Sequence, residues 1–310
     1  MIPFLHIGRL AIPTFGLMVA LAMVAAYFVL RADFARRGLG AGSSGGAGGL
    51  AEAFIAIPCL AGIIGAKLYH VLETPRDLIV DPFGEIFSQF GFAWFGGLIA
   101  GLAAFVWLAR RYKIPLLTIL DAGSPAAALG YGIGRIGCLL SGDGDYGVPT
   151  SLPWGMSFPN GLVPTDQRVH PTPIYELLAA CLIAWILWRI GRLQIHSNTI
   201  VKAVAEGQVV SMPAAARLSL RGTKGTVGVD LAVRAKHWEN LLSSLGPGAV
   251  FAAYLVLTGA ARFLVEFIRI NPRSFFGMSN AQAASLASMI GGVALWMWLK
   301  RDRAGRQDLT

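Results

Sequence analysis

The sequence predicts an all-α, polytopic membrane protein with about seven transmembrane helices, its N-terminus outside and its C-terminus in the cytoplasm. Three observations carry that expectation. Of 310 residues, 55% are hydrophobic and only 14% charged, with a mean hydropathy of +0.59; a soluble domain carries about 25% charged residues. Apolar runs close to the roughly 20 residues that cross a bilayer recur along the chain. Basic residues gather on alternate connections between those runs.

The runs fall near 11–30, 50–72, 89–109, 116–140, 172–190, 247–268 and 281–299. The first has no basic cluster ahead of it and no clear cleavage site, so it reads as a helix and not a signal peptide. The third holds Gly97 and Gly101 in a GxxxG spacing, and the fourth holds Gly130, Gly132, Gly134 and Gly137. Small residues at such spacings let membrane helices approach closely. On the fourth they leave one helix face bare beside Arg135.

The connections orient the runs. Arg31, Arg36 and Arg37 follow the first, and Arg110, Arg111 and Lys113 follow the third. Eight more follow the fifth, between Arg189 and Lys236, and Lys300, Arg301, Arg303 and Arg306 follow the seventh. Only Arg9, Arg76, Arg168 and Arg273 lie on the other side. The basic side is expected to be cytoplasmic. The net charge of +9 borders membrane helices, so membrane lipids are the expected partners and nucleic acid is not. The chain divides into 1–190, with five helices and an outer loop at 141–171; 191–245, a basic cytoplasmic insert with strand-like stretches; and 246–310, with two helices and a basic tail. The outer loop is rich in Gly, Pro and Asp, which predicts an ordered irregular segment. Its Trp154, Met156 and Phe158 are expected at headgroup level.

Cys59, Cys138 and Cys181 all sit in apolar stretches without a CxxC or Cys/His grouping. A disulfide framework, a metal site and a cofactor are therefore not expected.

Charge inside the apolar runs is the functional signal. Arg135 lies in GYGIGRIGCLLSG and Arg262 in TGAARFLVEFIR. An unpaired Arg at mid-bilayer costs about 2.5–3.5 kcal/mol or more, so each needs a partner or a wet cavity. Glu266 and Arg269 follow Arg262 at helical spacing and are expected on its face. Glu176 opens the fifth run beside Tyr175, just after His170. These residues fit either a structural lock between helices or a site for an anionic ligand. Two arginines favour the ligand, because the planar guanidinium binds phosphate bidentately and stays charged when buried.

GRIGCLLSGD at 134–143, HPTPIYE at 170–176 and ARFLVEFIR at 261–269 resemble the prolipoprotein diacylglyceryl transferase family. The resemblance covers nearly the whole chain: IPTFGLMVALAMVAAYF is similar to the family's first span, FAWFGGLIAG to its third and GMSNAQAASLASMIGG to its last. It implies a seven-helix bacterial inner-membrane enzyme. Such an enzyme moves the diacylglyceryl group of phosphatidylglycerol onto the lipobox cysteine in a prolipoprotein signal peptide and releases glycerol 1-phosphate. Arg135, Arg262, His170 and Glu176 are then the catalytic candidates. Gly97, Gly134, Gly137, Cys138, Asp143, Gly147, Tyr175, Glu266 and Arg269 are the substrate-binding ones. The chain departs from the family pattern in places. Phe95 stands where a functionally important His is usual, Cys138 replaces Asn, and Asp143 replaces Glu. Phe15 and Thr258 each replace a Tyr. With Phe95 unable to take a proton, His170, Glu176, Asp143 and Asp145 are the candidate bases. The alternative is a divergent phosphatidylglycerol-binding paralogue with another acceptor or no catalysis.

Overall fold

A computed structural model describes residues 1–205 and 246–307, apart from positions 9, 43, 44, 89, 90, 92 and 275. The strand-like stretches expected after 205 lie outside the described residues. The chain opens with an antiparallel hairpin, β1 (Phe4–Ile7) and β2 (Leu10–Pro13), in the register Phe4↔Pro13. Pro13 fixes the turn into α1 (Thr14–Arg36), and Thr14 Oγ1 ties back to Ile2 O at 2.7 Å. Then come α2 (Gly46–Glu73), the short α3 (Pro75–Val80) and α4 (Pro82–Phe87), α5 (Trp94–Arg111) and α6 (Leu116–Ser141). A second ribbon, β3 (Met156–Phe158) with β4 (Thr165–Val169), lies in the loop after α6. The chain finishes with α7 (Thr172–Ala205), α8 (Ala249–Val265), a 3-10 turn at Glu266–Ile268 and α9 (Asn280–Gln307).

Among the described residues, six helices are long and apolar enough to cross a membrane: α1, α2, α6, α7 to Ile195, α8 with its turn, and α9. This is a multi-pass membrane protein. Leu60, Ile64, Leu68, Leu182, Leu264 and Ile290 stand exposed along these helices, an arrangement that suits lipid and not water. The third expected span is α5, shorter than the others. Its 18 residues rise about 27 Å, under the roughly 30 Å of a hydrocarbon core, and its last turn holds Arg110 and Arg111.

The helices pack in pairs, α1 on α6, α2 on α5, α6 on α7 and α8 on α9. Small residues permit this. A Cβ on Gly65 of α2 would come within 2.6 Å of Gly96 O on α5, and one on Gly97 within 3.2 Å of Gly62 O. The α6 glycines do not share one bare face. Gly137 packs against Phe15 and Met18 of α1, Gly132 against Ala180 of α7 and Gly130 near Ala22 and Ala26 of α1, so of these four only Gly134 has open space beside it. Residues 130 and 132 are two apart, which puts them on different sides of a helix.

At one end of the bundle, Asp121 of α6 joins α7 and α8. It accepts from Gln194 Nε2 at 2.6 Å, Gly248 N at 2.7 Å and Phe251 N at 2.8 Å. At the other end α6 stops at Gly142, whose left-handed φ of 60° turns the chain into the loop. That loop is ordered, and more regular than the sequence predicts. Tyr146 stacks on Phe158 with ring centroids 5.1 Å apart, and Tyr146 Oη donates to Val163 O. Phe158 is only 1% exposed, so it is a core side chain of the loop, whereas Trp154 is 56% exposed.

Candidate functional site

Three arginines and three carboxylates converge where the ends of α6 and α8 meet the start of α7. Glu176, near the start of α7, is the centre. Arg135 Nε lies 3.2 Å from its Oε2, Arg262 Nη1 2.8 Å from its Oε1 and Arg269 Nη1 3.6 Å from its Oε2. Tyr131, one turn before Arg135, donates its hydroxyl to Glu176 Oε1 at 2.7 Å, and its ring lies 4.8 Å from the Arg135 guanidinium carbon. Glu266 holds the far side, 3.0 Å from Arg262 Nη2 and 3.7 Å from Arg269 Nε. Asp145 closes the ring by pairing with both Arg135 and Arg269. The Glu176 and Glu266 side chains are 3% and 1% exposed. Charges taken so far from water survive only when paired this completely.

Arg269 reaches the cluster by a route the sequence pattern misses. The helix of Arg262 ends at Val265, and the 3-10 turn delivers Arg269 in extended backbone. There Arg269 bridges to Gly147 of the loop, and Val148 N donates to Ile268 O at 2.8 Å. Gly147 has no room for a side chain: a Cβ would sit 2.5 Å from Ile268 O and 2.9 Å from the His170 Cβ. Thr172 Oγ1 donates to Asp145 O at 2.5 Å. The loop is thus sewn to the start of α7 and the end of α8. For Asp145, burial works to raise the carboxyl, but hydrogen bonds and charge from Arg269 and Arg135 outweigh it and hold the group below the usual carboxylate range.

Behind Glu266 lies a second layer. Asn271 Nδ2 and Ser279 Oγ donate to its Oε1 at 2.6 and 2.7 Å. Ser279 and Gln282 cap the N-terminus of α9 reciprocally, at 3.1 and 3.2 Å. Sequence reasoning missed Tyr131, Asn271, Ser279 and Gln282. Two signals were legible: Tyr131 precedes Arg135 by four residues, and Ser279-x-x-Gln282 is a capping box.

Arg135, Arg262, Glu176 and Tyr131 line a cavity of about 390 Å³ between α6, α7, α8 and α9. Its remaining wall is mostly apolar and small, with Ala128, Ala180, Thr258, Gly259, Ala284 and Ser285 among the lining residues. Charged groups at one end and a smooth apolar channel behind suit an amphiphile with an anionic head.

The other expected residues are more dispersed. His170 Nδ1 lies 3.2 Å from Tyr175 Oη, which also accepts from Trp154 Nε1 at 2.8 Å; these three form a chain along the loop surface. The Cys138 sulfur lies 3.7 Å from Arg135 Nη1, and Asp143 accepts the backbone N–H of Asp145. Donor atoms of Cys138, Asp143 and Asp145 lie within 4.8 Å of one another, but Asp145 faces two guanidiniums, which oppose a cation there. Gly97 belongs to the α2–α5 contact and to a separate cleft with Trp94 and Leu98. Phe95 is 62% exposed and packs edge-on against Trp94.

The family model described as prolipoprotein diacylglyceryl transferase matches residues 3–220 and 228–298. Curated relatives named phosphatidylglycerol–prolipoprotein diacylglyceryl transferase agree. One from Clostridium tetani is 28% identical over 284 residues, covering 90% of each chain. One from Geobacter sulfurreducens is 33% identical over 192 residues, covering 61% of this chain and 70% of its own. One from Dehalococcoides mccartyi is 28% identical over 309 residues, covering 98% and 95%. With the family model spanning nearly the whole chain and the three motif segments converging on one arginine–carboxylate cluster, the chain belongs to the prolipoprotein diacylglyceryl transferase family.

Proposed function

We propose that the chain transfers the diacylglyceryl group of phosphatidylglycerol to the lipobox cysteine of prolipoproteins, at the bacterial inner membrane, with Arg135 and Arg262 holding the lipid phosphate. The observation that carries the site assignment is the cavity with both guanidiniums at its polar end. Each guanidinium has five N–H donors. Arg262 Nη1 donates to Glu176 Oε1 while Nη2 is ion-paired with Glu266, and Arg135 Nη1 donates to Asp145 while Nε is ion-paired with Glu176, so each keeps donors for a phosphate.

In the reaction the cysteine sulfur forms a bond to the terminal glycerol carbon, and that carbon's bond to the phosphate oxygen breaks. The electron pair leaves with glycerol 1-phosphate, whose negative charge grows as the bond opens. Fixed cations in a low-dielectric site stabilise that charge without reorganising. Glu176 and Glu266 are positioning residues here: their carboxylates pair with the arginines, and the arginines act on the phosphate. The thiol must lose its proton, since the thiolate is the nucleophile. His170 is our proposed base. It sits on the loop side of the cluster, with Gly147 N donating to its carbonyl, and its ring is oriented by Tyr175. Gly134, Gly137 and Cys138 line the last turns of α6 beside Arg135, and the loop residues Asp143 and Gly147 shape the approach from the other side.

The test is complementation of a bacterium depleted of its own transferase, with the acceptor lipoprotein read by mass spectrometry. The proposal expects a diacylglyceryl thioether on the lipobox cysteine. A well-expressed, membrane-inserted chain that leaves the cysteine unmodified would favour a lipid-binding paralogue.

A further inference from the structure

The far end of the bundle holds a second basic cavity that the transferase reaction does not use. It has a volume of about 780 Å³ and lies between the end of α1 and the later turns of α7. Arg36, Arg189 and Arg192 line it with Trp188, and Ala32 and Leu193 supply apolar wall; no acidic residue lines it among the described residues. Glu176 and Arg192 are 16 residues apart on α7, roughly 24 Å, so this is a separate place from the Arg135 cluster.

The cavity is built around Arg36. Its guanidinium carbon lies 3.9 Å from the Trp188 ring centroid, and Nη1 donates to Trp188 O at 3.1 Å. Asp33, fully buried, pairs with Nε and also with Arg37 Nε, and Arg37 continues to Gln194 Oε1 at 2.9 Å. Gly191 makes room for this: a Cβ there would come within 2.7 Å of Arg36 Nη2 and 3.3 Å of Arg37 Nη2. Both of those Nη2 atoms are buried and lack a hydrogen-bond partner among the described residues. Asp33 is taken up by Arg36 and Arg37, and Asp121, behind Gln194, by Gln194 Nε2 and two backbone N–H groups. Arg36, Arg37, Arg189 and Arg192 outnumber them, and Arg189 and Arg192 stand exposed at the mouth. A planar cation locked on an indole, with two exposed arginines beside it and apolar wall below, is suited to a phosphate group.

We infer that this cavity binds a phosphate group, either the headgroup of an anionic phospholipid or a water-soluble phosphate, at the end of the bundle opposite the Arg135 cluster. The inference does not depend on the transferase reading. Native mass spectrometry of the full chain, released from phosphatidylcholine nanodiscs doped with phosphatidylserine, tests it. Wild type, Arg273→Gln as an exposed control outside both cavities, and the double variant Arg189→Gln/Arg192→Gln are compared, with melting temperatures measured on the same samples. Loss of two charge-assisted contacts predicts that the double variant retains at least about tenfold less phosphatidylserine, while Arg273→Gln retains it. If the double variant melts early, each single Gln variant carries the same test. A repeat with millimolar inorganic phosphate separates the sources. Displacement of lipid with phosphate adducts on the wild type, absent from the variant, identifies a soluble phosphate; undisturbed lipid identifies a headgroup. Folded variants that retain lipid and phosphate as the wild type does would overturn the inference.

Discussion

Glu176 sits 2.8 Å from Arg262 and 3.2 Å from Arg135, with Tyr131 on the same oxygen as Arg262. Glu176→Gln keeps its shape but leaves three guanidiniums facing two carboxylates. Removing one partner of a buried ion network costs about 3–5 kcal/mol, so this variant is expected to unfold at clearly lower denaturant in mixed micelles. Wild-type resistance would show that Glu176 does not organise the arginines. Asp145 gives a pH signature. Its folded carboxyl titrates below its unfolded value of about 3.9, so its stabilisation is complete above that value and is lost as pH falls through the lower, folded one. Melting curves between pH 7 and 3 are expected to show less acid-dependent loss for Asp145→Asn than for wild type. Equal losses would place the acid-sensitive group elsewhere. At this scale the sequence is informative about charge and silent about partners. Arg135, Arg262, Glu176 and Glu266 stand out because ionised groups are costly in apolar runs. The pairing of Asp145 with both Arg135 and Arg269 depends on how the loop folds back, and no local pattern encodes that.

Among the elements, the loop between α6 and α7 decides whether the cluster forms. It carries Asp145, and it docks through the Gly147–Arg269 bridge and the Val148 to Ile268 hydrogen bond. Gly147→Ala is therefore expected to push the loop off the end of α8. Transfer activity should fall at least about tenfold with a modest change in melting temperature, because a sub-ångström misfit at a positioning contact can cost a factor on the order of 100. An alanine variant with full activity would mean the loop is not needed for the site. The helices themselves were legible, since apolar runs of this length have few alternatives. The β3–β4 ribbon was not, because its Gly- and Pro-rich sequence gives no alternation of two and its small core of Tyr146, Phe158 and Val169 is assembled from separate parts of the loop. The shared face expected for Arg262, Glu266 and Arg269 also changed form. A 3-10 turn interrupts the helix, and the three still meet because the turn bends Arg269 back.

For the whole molecule, we propose the orientation given by the basic side: the end holding Arg36, Arg110 and Arg189 in the cytoplasm, and the loop 141–171 outside. Cysteines placed at Ser151 and Ser219, in a background lacking Cys59 and Cys181, test this with an impermeant thiol reagent on intact cells. Labelling of Ser151→Cys and protection of Ser219→Cys are expected; the reverse pattern would invert the protein. The same axis separates the two arginine cavities, one beside Glu176 and one beside Trp188. Charge counting proposes an orientation for the chain, but it does not show that part of the basic excess is folded into a cavity, because that depends on Gly191 leaving room for Arg36.

The central claim is that guanidinium geometry, and not charge alone, holds the phosphate for transfer. The direct measurement is diacylglyceryl transfer from phosphatidylglycerol to a lipobox peptide by purified wild type, Arg135→Lys and Arg135→Ala, with melting temperature on the same samples. Lysine keeps the charge and loses the planar fork, so Arg135→Lys should be impaired nearly as much as Arg135→Ala. A loss of about 2–3 kcal/mol, roughly 30- to 150-fold in kcat/KM per folded molecule, is expected. A stable Arg135→Ala protein with wild-type turnover would contradict the account.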